Sequence, residues 1–487
     1  SRASYTQLTE KGVLHLPPAE MALRLIEGEL ALVAPGARAA AVIRGLPAGA
    51  RGALEGQAPL GVEAEAELAL APGQVTELVF VFALGRSLER ARTTAGKVAA
   101  AGPGRLLRNA LNRRQRRWRE LAARLPAGTP VAELARRAQE YIWDECAVPV
   151  GDGICLITDH QLLPLSWTRD AYFLLQALDP RAAATQRLNR RHLRWLFESA
   201  RRPDGYWGRT YLANGRPKDA VFQLDQQCYP LLELAEYALA TQDEPTLARL
   251  LPGVPAVLGA ILARQAPAGA DGRRPALFAS EETPGDDPMP LPYHSSSHIL
   301  LWRTLEQLAA VDARWPFSEL DLGGLAAQVR AAVGDHLVAE HAGRRLFAYA
   351  ADGRGNYHFY HDANDLPLAL APIWGFCPAT DPIWRATMAF AFSPENRGGH
   401  YAGPAGGLGS VHTPGAWPLG DVQEYLYGRL IGEEERAAAA LRRLAASAFW
   451  DGALPEARDP ESGRASSRHW FAWPGAALLA AVTRYRP

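Results

Sequence analysis

The chain has 487 residues, 48% hydrophobic and 21% charged, with 52 basic side chains against 52 acidic ones. That length suits one large domain with a smaller companion, and the composition is that of a core-forming globular protein. A formal charge of zero leaves no electrostatic footprint for nucleic acid or an anionic membrane.

The four cysteines, Cys146, Cys155, Cys228 and Cys377, show no C-x-x-C spacing, so neither a disulfide scaffold nor a structural zinc site is expected. No run of 18 apolar residues is present, so no membrane span is expected. No signal peptide is visible, and the expected location is the cytoplasm. Ser1 stands where an initiator methionine would, which points to a missing upstream segment.

Residues 1–86 read as a β region. From Val62 to Leu70 apolar residues alternate with Glu63, Glu65 and Glu67, and after Pro72-Gly73 comes a second strand-like run, QVTELVFVFALG. This predicts a partial sandwich. Past Ser87 the period becomes helical. The run at 106–125, LLRNALNRRQRRWRELAARL, predicts an arginine-rich amphipathic helix, so 87–128 is expected to be a helical linker. In such a helix arginine stems cover an apolar seam while the heads stay wet.

From 129 to 487 the pattern predicts twelve helices, near 130–146, 168–179, 181–202, 219–241, 243–265, 294–310, 318–342, 362–375, 379–392, 415–430, 432–447 and 466–484. Six long connections precede the even-numbered helices: 147–167, 203–218, 266–293, 343–361, 393–414 and 448–465. Ordinary helix–helix links are short. Long loops at every second link place all of them on one face of a ring of helical hairpins. The expected fold is an (α/α)6 toroid with its functional loops around one mouth.

Those loops concentrate aromatic, acidic and glycine residues. The first ends in PLSWTRDAYF, with Trp167, Arg169 and Asp170. The second carries Tyr206, Trp207, Arg209 and Asp225. The third, LFASEETPGDDPMPLPYHSSSH, carries Glu281 and Glu282, and the fifth ends with Trp417. Aromatic faces beside carboxylates suit a sugar, whose C–H faces stack while its hydroxyls need donors and acceptors; an adjacent Arg and Asp supply both. Asp170 also suits the helix dipole at its helix start, and a single glutamate on a loop is by default a solvated one. His294 and His298 lack a third ligand nearby in sequence, so no metal and no cofactor is expected.

These motifs resemble the catalytic domain of glucoamylase-type glycosidases, glycoside hydrolase family 15 and its (α/α)6 relatives, across the helical region. SWTRDAYFLLQAL is similar to the family's Trp-Thr-Arg-Asp motif, whose Arg and Asp hold the terminal sugar. FQLDQQ is similar to its segment entering a barrel helix, with Asp225 toward the cleft. LFASEET is similar to its Leu-Trp-Glu-Glu stretch, and LPEARDPESGRASSRHWFAWPGAALLAA to its last block, which holds the base. The resemblance implies an inverting, exo-acting hydrolase of α-glucosidic or related α-glycosidic bonds in an oligosaccharide. Glu281 is its expected general acid and Glu456 its general base, and Trp167, Arg169, Asp170, Trp207, Asp225, Glu282 and Trp417 are expected to contact substrate. The sequence departs from the motif around Glu281, where Ala279-Ser280 replaces the tryptophan, so Asp286, Asp287 and Asp225 stand as other candidates for the acid. A polysaccharide lyase, an epimerase or a phosphorylase built on the same toroid is the rival expectation.

Overall fold

The computed structural model describes residues 22–26, 29–34, 39–46, 51–54, 62–65, 70–75, 79–126, 128, 130–160, 163–269 and 272–485. Two separately compact units emerge, one over Val13–Leu121 and the other from Ala122 onward.

The first unit is built on an antiparallel sheet of β1 (Ala22–Ile26), β2 (Glu29–Ala34), β3 (Ala39–Leu46) and, after the hairpin of β4 (Arg51–Leu54) and β5 (Val62–Glu65), β6 (Val79–Gly85), in the order β1-β2-β3-β6. Of the alternating run expected at 62–70, residues 66–69 lie outside the described residues. Along β6, Val81 and Ala83 point inward while Phe80, Phe82 and Leu84 point outward, the two-residue period of a strand with one buried face. Helix α1 (Leu88–Ala101) lies on this sheet, its Ala91 and Ala95 buried against Ala31, Ala40, Val42, Val81 and Ala83. Small side chains on both surfaces allow that close approach. Ser87 caps the helix by accepting from the Arg90 amide. Helix α2 (Pro103–Ala122) is the expected arginine-rich helix.

The second unit is helical. Its elements are α3 (Ala132–Tyr141), α4 (Thr168–Gln176), α5 (Ala183–Arg194), α6 (Leu224–Thr241), α7 (Glu244–Leu250), α8 (Val254–Leu262), α9 (Ser295–Asp312), α10 (Leu322–His336), α11 (Leu366–Ala369), α12 (Ala371–Trp374), α13 (Pro382–Ala391), α14 (Pro418–Ile431), α15 (Glu434–Ser447) and α16 (Ala472–Thr483). Packing runs from α4 to α6, α9, α11, α14 and α16, and α16 packs back against α4. Helices α3, α10 and α15 lie against α16, α9 and α14 respectively. Inner helices are apolar on nearly every side: in α16 every residue from Ala472 to Val482 is buried. Helix α15, by contrast, buries one stripe only, Ala437, Ala440, Leu441, Leu444 and Ser447.

The long connections are not structureless. They fold as short antiparallel pairs, such as Gly208–Tyr211 with Pro217–Phe222, and Ala457–Arg458 with Ala465–Ser467. The strand over Pro217–Phe222 occupies what periodicity assigned to the start of a helix. The span Glu244–Leu262 is long and apolar enough to cross a membrane by composition. It is divided by a 3-10 turn at Leu251–Gly253, however, and buries Leu247, Val254, Val257, Leu258 and Ile261 in the protein. All four cysteines are buried free thiols.

Candidate active site

Residues just before the starts of several inner helices come together. Trp167 precedes α4, Gln223 α6, Trp417 α14 and Phe471 α16, all with extended backbone that turns the side chain away from the helix it precedes. Trp167, Trp417 and Phe471 line a narrow cavity of about 20 Å³, together with Arg169, Asp170, Asp286, Asn364, His412, Glu456, Arg468 and Trp473.

One wall is ionic. The Arg169 guanidinium lies 4.8 Å from the centre of the Trp473 ring. It reaches Asp225 at 3.3 Å, Asp170 at 3.4 Å and Asp286 at 3.8 Å. Burial pushes Asp170 up to about 6 against the pull of Arg169, and it raises Asp225 in the same way. Among the described residues, Arg169 Nε, Asp170 Oδ1 and Arg468 Nη1 are buried without a hydrogen-bond partner. Arg169 Nε and Asp170 Oδ1 face each other as an ion pair at 3.4 Å, whereas Arg468 Nη1 is left as an unsatisfied donor on a residue lining the cavity, and buried polar atoms are normally satisfied.

Glu456 also lines the cavity and is 2% exposed. Ser467 Oγ donates to it at 2.6 Å, Thr413 Oγ1 donates at 3.3 Å, and the Arg468 guanidinium pairs with its other oxygen. Burial alone would raise this carboxyl. Arg468, Ser467 and His412 outweigh burial and hold it below the usual range, so Glu456 is an anion at neutral pH.

Asp286 is brought in by a turn. Ser280 is buried and Glu281 exposed at a bend, and Glu282 pairs across to Pro288. The tight link between them puts Asp286 at φ 66°, a left-handed conformation that Asp tolerates. Trp167 Nε1 donates to Asp286 at 2.9 Å and Gln223 Nε2 at 2.8 Å. Burial raises Asp286, while Arg169, Arg209 and His412 lower it further than burial lifts it. Asp287 meets His412 Nδ1 at 3.2 Å and is about a third exposed. His412 feels Asp286, Asp287 and Glu456 together; they raise its pKa although burial lowers it. Residues 412 and 413 thus touch a carboxylate of the third loop and Glu456 in turn.

Four expected residues, Glu281, Trp207, Asp225 and Glu282, do not line this cavity. Glu281 is 54% exposed and pairs with Arg264 at 3.6 Å. Trp207 is fully buried, donating to the Leu196 carbonyl and packed edge-on to Phe197, so its faces are taken by core neighbours. Glu282 stands behind the cavity, held by Arg209 at 3.0 Å and by Gln223, which also holds Asp286. Asn364, His412, Arg468, Phe471 and Trp473 were not singled out from the sequence. The signal for Arg468, Phe471 and Trp473 was the clustering of Arg and aromatics in RHWFAW, and for Asn364 that of His and Asn in YHDAND; His412 lies in neither run.

The family model of metal-independent alpha-mannosidases (GH125) matches residues 262–482. Among solved structures, a metal-independent alpha-mannosidase of Streptococcus pneumoniae, in a non-productive complex with alpha-1,6-mannobiose, is 20% identical. That match covers 76% of this chain and 96% of that one, with a TM-score of 0.64. A bacterial glucoamylase complexed with acarbose is 14% identical over 94% of this chain and 73% of that one, also with a TM-score of 0.64. No curated protein sequence matches. The helix-rich chain therefore has neighbours of the (α/α)6 glycosidase fold. The glucoamylase likeness expected from its motifs is met at the level of fold, whereas the matching family model is that of the mannosidases.

Proposed function

We propose that this glycoside hydrolase of α-linked sugars is an inverting, exo-acting enzyme that removes a terminal α-mannosyl unit, with Asp286 as general acid and Glu456 as general base on a closed (α/α)6 toroid. The packing circuit from α4 through α16 and back to α4 supports the closed ring. The carrying observation is the cavity itself. It is small, it has an unsatisfied donor on Arg468 beside the Arg169–Asp170 ion pair, and two acidic side chains from the third and sixth long loops line it.

An inverting mechanism needs one carboxyl to protonate the leaving oxygen and another to take a proton from water, with roughly 6.5–9.5 Å between them. Asp286 gives its proton to the glycosidic oxygen as the C1–O bond breaks. Water, losing a proton to Glu456, attacks C1 from the other face, and the anomeric configuration inverts. Arg169 and Asp170 hold hydroxyls of the sugar, and the rings of Trp417 and Phe471 enclose it. Enclosure of the cavity by Trp167, Trp417, Phe471 and Trp473 supports admission of a chain end and hence exo action.

The mannosyl preference rests on the family model, which spans both loops that supply the carboxyls. An α-glucosyl substrate is the second reading, favoured by the glucoamylase structure's match over 94% of the chain. Asp287 is the second reading for the acid, favoured by its greater exposure and its contact with His412. The test is a panel of α-mannobioses and α-glucobioses followed by NMR of the nascent anomer. A β-anomer released from an α-mannobiose is expected; a first-formed α-anomer, or an unsaturated product, rejects the mechanism. Asp286→Asn should lose about 10²–10⁴-fold on disaccharides yet retain activity on an α-mannosyl fluoride, whose leaving group needs no proton. If Asp287→Asn shows that pattern instead, the acid role passes to Asp287.

A further inference from the structure

We propose that a second saccharide-binding site lies on the outer side of the sixth long loop, built for neutral pyranose units further along the chain whose end occupies the catalytic cavity. The proposal rests on the glycosidase reading above. The site is a recess of about 280 Å³ between the C-terminal end of α3, the 450–454 turn and the start of α16.

Its walls are ring faces. Of the thirteen tryptophans, Trp450 alone is exposed, at 93%, and it lines this recess. Trp470, His160 and Tyr141 form a connected set beside it. The His160 ring lies 5.0 Å from that of Trp470 and 5.6 Å from that of Tyr141, whose hydroxyl meets His160 Nδ1 at 2.9 Å. Trp470 is fixed by donating its Nε1–H to Asp451 at 2.8 Å. The platform is thus pre-positioned, which lowers the entropy lost on binding. Glu145 is exposed at the rim and supplies an acceptor for hydroxyls.

This mixture selects the ligand. Amphipathic rings with a carboxylate at the rim match a pyranose, which offers C–H patches and hydroxyls at close spacing. Phe471 lines both this recess and the catalytic cavity, so the two spaces are neighbours separated by one side chain, and the proposed saccharide spans from one to the other. Two linked sites raise apparent affinity for long substrates through effective concentration and leave short ones unaffected.

The test titrates the full chain with a sulfur-linked α-mannooligosaccharide series, which resists hydrolysis, and follows tryptophan fluorescence with saturating mannose occupying the catalytic cavity. A parallel sulfur-linked α-glucan series covers the other substrate reading. Residual binding should grow with chain length and weaken at least tenfold in Trp450→Ala. kcat/KM for long saccharides should fall in that variant, while that for an aryl α-mannoside stays as in the parent. Identical titrations for Trp450→Ala and parent overturn the second site, and retained hydrolysis in that case leaves the catalytic reading standing. Trp450-dependent binding without hydrolysis of any α-linked saccharide does the reverse. Self-association abolished by Trp450→Ala and insensitive to saccharide also overturns the proposal, because the indole would then serve a second copy of the chain. Because Trp450 is almost wholly exposed, its variant is expected to fold; Glu145→Gln gives a second, independent weakening of the same isotherm.

Discussion

Asp286 and Glu456 are both surrounded by donors, and that fixes the pH range in which they can cooperate. Burial raises each carboxyl, and arginines reverse the effect: Arg169 and Arg209 for Asp286, Arg468 for Glu456. Both are ionised in the empty site at neutral pH, which suits a base and disfavours an acid. The competent form, with Asp286 protonated, therefore becomes about tenfold rarer for each pH step above its lowered pKa. kcat/KM on disaccharides should peak on the acid side of neutrality and fall as pH rises. A fluoride donor, needing no proton, should lose that falling limb. Flat rates from pH 5 to 8 on a disaccharide would reject Asp286 as the acid. Glu456→Gln should abolish turnover and also lower stability, because it leaves the buried Arg468 charge without its counter-ion. Melting and turnover measured on that one variant check both effects.

Elements matter because the loops, although irregular, are anchored to helices. Arg458 is 1% exposed and ties the sixth loop to α14 through Asp421, to α15 through Ser447, and to the fifth loop through the carbonyls of Ala405 and Gly406. Arg458→Met removes the cation and leaves Asp421 with Arg443, which pairs with it at 2.7 Å. A loss of about 3–5 kcal/mol is typical when one partner of a buried pair is removed, and Arg443 should hold the loss toward the lower end. Denaturant unfolding of the variant measures this, and a loss below about 1 kcal/mol would show that Arg443 alone suffices. Gly420 is a second anchor. A Cβ there would lie 2.2 Å from the Leu408 carbonyl, so the first turn of α14 can sit on the fifth loop only with glycine at that position. Gly420→Ala should displace Trp417 and raise KM as well as lowering stability.

At the scale of the whole molecule, buried histidines set the acid limit of stability. His298 accepts from the Phe278 amide at 2.9 Å through Nε2 and meets the His294 carbonyl at 2.7 Å through Nδ1. That arrangement requires the neutral ring. Burial lowers both His298 and His192 to about 4 from an ordinary 6.5. The folded state therefore binds fewer protons than the unfolded chain between those values. The stability is present above pH 6.5 and lost as pH falls toward 4, roughly 3 kcal/mol for each ring. His298→Gln should flatten part of that decline in unfolding free energy; an unchanged slope would remove His298 from it.

The alternation of short and long links was readable from residue 129 onward because helical periodicity and loop length are local properties of the chain. The same locality made Trp167, Arg169 and Asp170 legible, since a side chain in the first turn of an inner helix has its direction fixed by the helix. Glu281 and Asp286 were not separable in this way. Which of them faces the cavity depends on the Glu282–Pro288 pairing and on the Trp167 and Gln223 donors, the latter more than sixty and one hundred residues away along the chain. Trp207 was misplaced for a related reason: an indole near a loop suits a sugar or a core equally, and only packing against Phe197 decides. Sequence by itself thus determined the helix order and the residues at helix starts. Tertiary structure decided which third-loop carboxyl lines the cavity beside Glu456, because side-chain direction in an irregular loop is set by partners from distant segments.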